Sequence, residues 1–308
     1  MNSKKGVLIV LIIGLLLVTS CNTTKNTSGV TGAYATCYGD ETQMVTAQFA
    51  DFAPVSSQEN PYTAGEDIDI EVILSNKYTR DIEAGKAKVR LTGDSAISSI
   101  FSNAKEVSAS TLYMIDTATC LEETTEVDLG PIVYQGDIST PISKEITGLY
   151  CYEEPVEVKA YLYYTADATE IGTNLPAGSN PPSGIQVTQI DQGPVDVDTG
   201  EATGDMRFKI YLVNSGTGTI VPSLDDCFTY REASYREEFK LKVTGAYNIE
   251  CPEDVALSRG EKTDVVTCLV TGIDSSNLGT QPSEITITLS GFAYEDVIPS
   301  TTIWLEPS

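Results

Sequence analysis

The sequence predicts an all-β chain built as two β-sandwiches in tandem. Three observations lead there. Apolar residues alternate with polar ones at a period of two, no long stretch keeps an apolar period of 3.6, and the second half of the chain repeats the pattern of the first.

In chain order, Lys4 and Lys5 open a basic leader, and residues 6–18 are apolar throughout. That run is too short for a membrane-crossing helix, which needs about 20 apolar residues, and its length fits the core of an export signal. It ends in Val18-Thr19-Ser20-Cys21, which resembles the lipobox of secreted lipoproteins. The resemblance implies a signal peptide over 1–20 and lipidation at Cys21, whose thiolate is the good nucleophile there for alkylation. An ordinary cleaved signal and a short uncleaved anchor stay open as alternatives. Residues 21–36 are small and polar and read as a flexible tether. Asn22 and Asn26 each begin an N-x-S/T triplet and are candidate glycosylation sites.

Strands follow. Residues 66–76 place Ile68, Ile70, Val72 and Leu74 on one face; 86–94 alternate Val89 with Leu91; 153–166 alternate Val156, Val158, Ala160, Leu162 and Tyr164. Residues 103–116 are the one stretch that reads as a short helix. The repeat is visible by alignment. Residues 205–218 match 67–80, setting Asn214 on Asn76, and 239–247 match 87–95. Residues 264–273 align with 140–149, setting Gly272 on Gly148, and 281–296 align with 153–168. Pro176, Pro181 and Pro182 mark 169–184 as a linker. The predicted domains are therefore 37–168 and 185–308, each with about seven strands.

That strand pattern is of the immunoglobulin or fibronectin type, without the Cys…Trp…Cys spacing of antibody domains, since the single Trp is Trp304. The stretches GEDIDIEVILSNK and DIEAGKAKVRLTG (65–77 and 81–93) resemble the Ig-like domains of small archaeal surface lipoproteins. The resemblance spans about residues 37–308 and implies a fold and an address, with no catalytic residues to carry over.

Composition narrows the function. Net charge is −25, from 19 basic and 44 acidic residues, which repels phosphate backbones and anionic headgroups alike. Nucleic acid is not an expected partner. There is no histidine, so Ser-His and Cys-His catalysis are excluded. Of seven cysteines, six remain if Cys21 is lipidated, an even number that predicts up to three disulfides in an exported chain. Cys251 and Cys268 flank a turn and are expected to pair, with Cα atoms within about 7 Å. Cys120 and Cys151 occupy loosely similar places in the first unit; Cys37 and Cys227 are left to bridge the domains or stay free.

Two further features bear on binding. Asp191, Asp196, Asp198 and Asp205 crowd one stretch, and Asp196-x-Asp198-x-Gly200 resembles half of a Ca²⁺ loop, though the third ligand and closing Glu are missing. A solvated loop is the plainer reading. Tyr150, Tyr152, Tyr161, Tyr163 and Tyr164 cluster near one strand and form either an exposed binding row or strand packing. Together these readings predict an extracytoplasmic lipoprotein with a lipid anchor in the membrane. Its domains would serve as a non-enzymatic structural or interaction module for other surface proteins or glycans. The alternative is a ligand-binding lipoprotein for cations or glycans.

Overall fold

A computed structural model describes residue 37 and residues 42–92, 100–102, 105–153, 155–198, 200–229, 236–258 and 264–308. The predicted leader, Cys21, Asn22 and Asn26 lie outside the described residues. The first half holds β1 (Val45–Phe49), β2 (Tyr62–Thr63), β3 (Asp67–Asn76), β4 (Ala87–Thr92), β5 (Phe101–Ser102), β6 (Glu106–Ser108), β7 (Thr124–Tyr134), β8 (Ile142–Tyr152) and β9 (Val156–Tyr163). The second holds β10 (Ile185–Gln192), β11 (Thr203–Asn214), β12 (Thr219–Val221), β13 (Arg236–Thr244), β14 (Asn248–Glu250), β15 (Asp254–Ser258), β16 (Asp264–Asp274), β17 (Pro282–Ser290) and β18 (Ala293–Glu306). The fold is all-β, as the alternation predicts. The stretch expected to be helical is, where described, strand β6 and bridged loop.

The alternation works as burial. In β3, Ile68, Ile70, Val72 and Leu74 are at most 1 % exposed, while Asp67 and Asp69 face solvent. In β11, Met206, Phe208, Ile210 and Leu212 turn inward and Arg207 and Lys209 outward. Each such inward side chain contributes about 1.5–3 kcal/mol.

Among the described residues four sheets result, with strand orders β1-β3-β7-β5, β10-β11-β16-β14, β12-β18-β8-β4-β6 and β15-β13-β17-β9; β2 joins β18 in parallel. The first and second sheets are counterparts, strand for strand. The third and fourth are counterparts too, provided β18 is set equivalent to β9. Strand β7 lies against β4 and β6, and β1 against β18, so the first sheet stacks on the third. Likewise β13 meets β14, β15 meets β16 and β9 meets β10, which stacks the fourth sheet on the second.

Two strands therefore cross the predicted division. β9 pairs with β17 over eight residues, from Val156–Leu289 to Tyr163–Pro282. β18 pairs with β8, from Tyr294–Tyr152 to Leu305–Ile142. The sandwich of second and fourth sheets is drawn from one contiguous run, 156–290, whose short β12 alone goes to the third sheet. It is inserted between the last two strands of the other. The connections on either side are short: residues 153–155 leave β8, and Gly291-Phe292 enter β18. The stretch expected as a linker, 169–184, is packed. Asn174, Pro176, Ser179 and residues 181–184 are buried, and Asn180 clamps the β10 edge through both Val187 N–H and Val187 C=O, each at 2.9 Å.

The repeat is real in three details. Asn76 donates to the Arg80 carbonyl at 2.8 Å and Asn214 to the Gly218 carbonyl at 3.2 Å, each closing the turn four residues on. Strands β7 and β16 each gain one residue over their partners, at a bulge. The bulges hold Gly130 (φ 69°) and Gly272 (φ 72°), a backbone region open to glycine. The counterpart of Gly272 is thus Gly130, and the Gly148 alignment is corrected. Likewise β17 is the counterpart of β8, and it is a neighbour of β9.

Candidate functional site

Chemically competent side chains gather where the inserted sandwich meets the third sheet. Three pieces of chain converge there: β8 with Tyr150, Cys151 and Tyr152; β18 with Tyr294, Glu295 and Asp296; and an arm, residues 215–229, that leaves β11 and reaches over the third sheet. The register sets Tyr294 opposite Tyr152, Glu295 opposite Cys151 and Asp296 opposite Tyr150. Alternation then sends the tyrosines and Asp296 inward and Cys151 with Glu295 to the outer face.

On the inner side, Tyr150 stacks on Tyr152 with centroids 6.3 Å apart, and Tyr152 meets Tyr294 at 5.9 Å. Tyr150 donates its hydroxyl to the Val45 carbonyl at 2.8 Å, and the Tyr294 hydroxyl accepts from Gly218 N–H at 2.9 Å. Burial pushes all three phenols well above their ordinary range, and the nearby Asp296 charge adds to this. They stay protonated at any ordinary pH and serve as donors and packing surface. Asp296, 4 % exposed, accepts from Gln43 at 3.1 Å, Thr217 at 2.8 Å and Val297 N–H at 2.8 Å. A buried carboxylate persists only when so satisfied. Glu237, also 4 % exposed, accepts from Asn214 at 3.1 Å and ties the start of the arm to β13. The arm comes this close because Gly184 and Gly216 lack side chains: a Cβ at either would fall 2.2 Å or 1.9 Å from the Tyr294 ring or hydroxyl.

On the outer side, the arm is clasped. β12 pairs with β18, Lys88 donates to the Leu224 carbonyl at 3.4 Å, and Cys227 forms a disulfide with Cys151. Val221, Leu224 and Ala293 pack around that disulfide as a small separate core. Phe228 has a positive φ of 62°, a strained setting for a bulky residue, and its N–H donates to Glu295.

The six cysteines other than Cys21 pair as Cys37–Cys120, Cys151–Cys227 and Cys251–Cys268. The last is the expected pair, with Cα atoms 4.4 Å apart. The Cys120–Cys151 kinship is corrected: Cys120 takes Cys37, and Cys151 takes Cys227 across the two halves. Alternation places Cys151 on the outer face of β8, where the arm and not the preceding loop arrives.

The acidic stretch does not converge. Asp196 and Asp205 pair through their backbones, Asp205 accepts from Gly272 N–H at 3.3 Å, and Asp191 sits opposite Lys209. Among the described residues the one trio of ligand atoms within 4.8 Å of each other is Cys151, Cys227 and Glu295, which leaves Asp191, Asp196, Asp198 and Asp205 as a solvated edge. The tyrosine row is largely packed as well: Tyr150, Tyr152 and Tyr164 are buried, Tyr161 and Tyr163 half-buried. A shallow cleft of about 430 Å³ between residues 64–65, 133–138 and 308 holds one side-chain carboxylate, Asp137. Sequence reading missed Tyr294, Asp296 and Glu237. Their only signal was that three acids or phenols lie at strand positions otherwise filled by aliphatic residues. No family model, curated protein or solved structure matches the chain.

Proposed function

We propose that the chain is an extracytoplasmic lipoprotein, anchored in the membrane through lipid on Cys21, whose sandwiches act as a non-enzymatic structural or protein-interaction module at the cell surface. The observation that carries this reading is the cysteine pairing. Three disulfides take up the six other cysteines and leave Cys21 without a partner among them, at the end of a basic and apolar leader. Three bridges suit an oxidising compartment. The seam where the inserted sandwich meets the third sheet supports a structural role, because its phenols are held protonated and its buried carboxylates, Asp296 and Glu237, are taken up by internal donors. The strong acidity of the chain keeps its folded part away from anionic headgroups and leaves the tether to set the distance. The test is Cys21→Ser in the full chain. The native chain partitions into detergent and the variant into the aqueous phase. A variant that still partitions into detergent with unchanged mobility overturns the lipid anchor.

A further inference from the structure

Cys151, Cys227 and Glu295 form a corner on the outer face of the third sheet. Cys151 and Glu295 are cross-strand partners on β8 and β18, so a sheet fixes their spacing, and Cys227 arrives on the arm. The three ligand atoms lie within 4.8 Å of one another. Glu295 is oriented by the Phe228 N–H, the kind of outer contact that holds a ligand carboxylate in place. The Cα atoms of this bridge are 6.3 Å apart, against 5.3 Å and 4.4 Å for the other two, so its backbone spacing best suits sulfurs that have moved apart. Tetrahedral zinc with bonds of about 2.3 Å sets two sulfurs roughly 3.7 Å apart. We propose that reduction of Cys151–Cys227 converts this corner into a binding site for a thiophilic divalent cation such as Zn²⁺, with two thiolates and the Glu295 carboxylate as ligands and water as the fourth.

The chemistry balances with a phosphine as reductant. The sulfur–sulfur bond breaks, the phosphine supplies two electrons and takes oxygen from water to become its oxide, and each sulfur gains one of the water protons. Metal binding then releases both protons and leaves two thiolates. Soft thiolates with one carboxylate select Zn²⁺ over Ca²⁺ or Mg²⁺. The clasp on the arm thereby survives reduction, with a metal bridge in place of the covalent one. The site is independent of the anchor proposed above.

The test uses the full chain reduced with phosphine and Co²⁺ as a spectroscopic stand-in. The expected result is a thiolate-to-cobalt band, absent before reduction, that saturates at one ion per chain. Glu295→Gln should raise the half-saturating concentration about tenfold or more. Zn²⁺ should slow alkylation of Cys151 and Cys227, mapped by mass spectrometry, and leave Cys37, Cys120, Cys251 and Cys268 unaffected. No band, protection spread over all six thiols, or an unchanged Glu295→Gln titration each overturns the three-ligand site. So does loss of the folded far-UV spectrum on reduction, since the site depends on the register of β8 and β18.

Discussion

The two sandwiches use the same strand plan and assemble it differently. The one built from the second and fourth sheets takes all its described strands from residues 156–290. The other takes β1–β8 from residues 45–152, adds the short β12 from within the insert, and waits for β18, which begins at Ala293. Equal strand plans therefore do not mean equal independence. A sandwich closed by its own neighbouring strands carries its stability locally, while one closed by a distant strand depends on everything between.

The largest test of this difference is excision. Residues 156–290 should give a soluble unit with one cooperative urea transition, whereas 185–308 should not, because it lacks β9 and carries β18 without β8. Equal cooperativity in both segments would restore the simple tandem division. Next come the disulfides, which differ in what they tie together. In the chain-entropy model, removing Cys151–Cys227, 76 residues apart, costs about 4–5 kcal/mol, and removing Cys251–Cys268, 17 apart, about 3 kcal/mol. Paired Ser variants measured by denaturant midpoint should keep that order. Hydrogen exchange should quicken in the arm for the first variant alone. A smaller effect separates the seam from the surface. Gly216→Ala places a methyl 1.9 Å from the Tyr294 hydroxyl and should cost about 1–3 kcal/mol, whereas Gly279→Ala meets nothing within 4 Å and should leave the melting temperature unchanged. Equal melting temperatures would mean that the arm is loosely held.

The smallest effect is electrostatic. Asp116, Asp167 and Asp274 have their carboxyls held below the usual range, first by the hydroxyls of Thr119, Thr169 and Ser276 and then by backbone N–H groups. A depressed folded pKa contributes stability that is complete above the unfolded value, near 3.8, and is lost as pH falls through the folded value. Replacing all three with Asn should lower the midpoint at pH 7, and the difference from the native chain should shrink as pH falls below 3.8. A gap of the same size at pH 3 would show that the turns depend on shape and not on charge.

What was legible in the sequence was local. Period-two burial marked β3, β4, β9 and β11, and Asn76 with Asn214 marked the same turn twice. The left-handed glycines were visible as residues but matched to the wrong partners, because alternating strands look alike and only the bulge tells Gly130 from Gly148. Strand partners were not legible at all. Nothing in the residues of β9 records that its hydrogen bonds go to β17, since every inward-facing aliphatic row fits any sheet edge. The same limit hid Cys151–Cys227, whose ends meet only through the arm, while Cys251–Cys268 was found because its two ends flank one turn. The seam was missed for a related reason: Tyr294 and Asp296 acquire meaning only from Gly184, Gly216 and Gln43, which are remote in sequence.

The insertion also sets an order in time. During synthesis or export, β8 emerges with one edge bare, and its partner β18 follows about 140 residues later. At typical synthesis rates of 5–20 residues per second that is roughly 7–30 s. Over that interval the N-terminal sheets present a long unpaired strand edge, while the inserted sandwich, complete at residue 290, can close first. The half of the chain that is made first is therefore the half that finishes folding last.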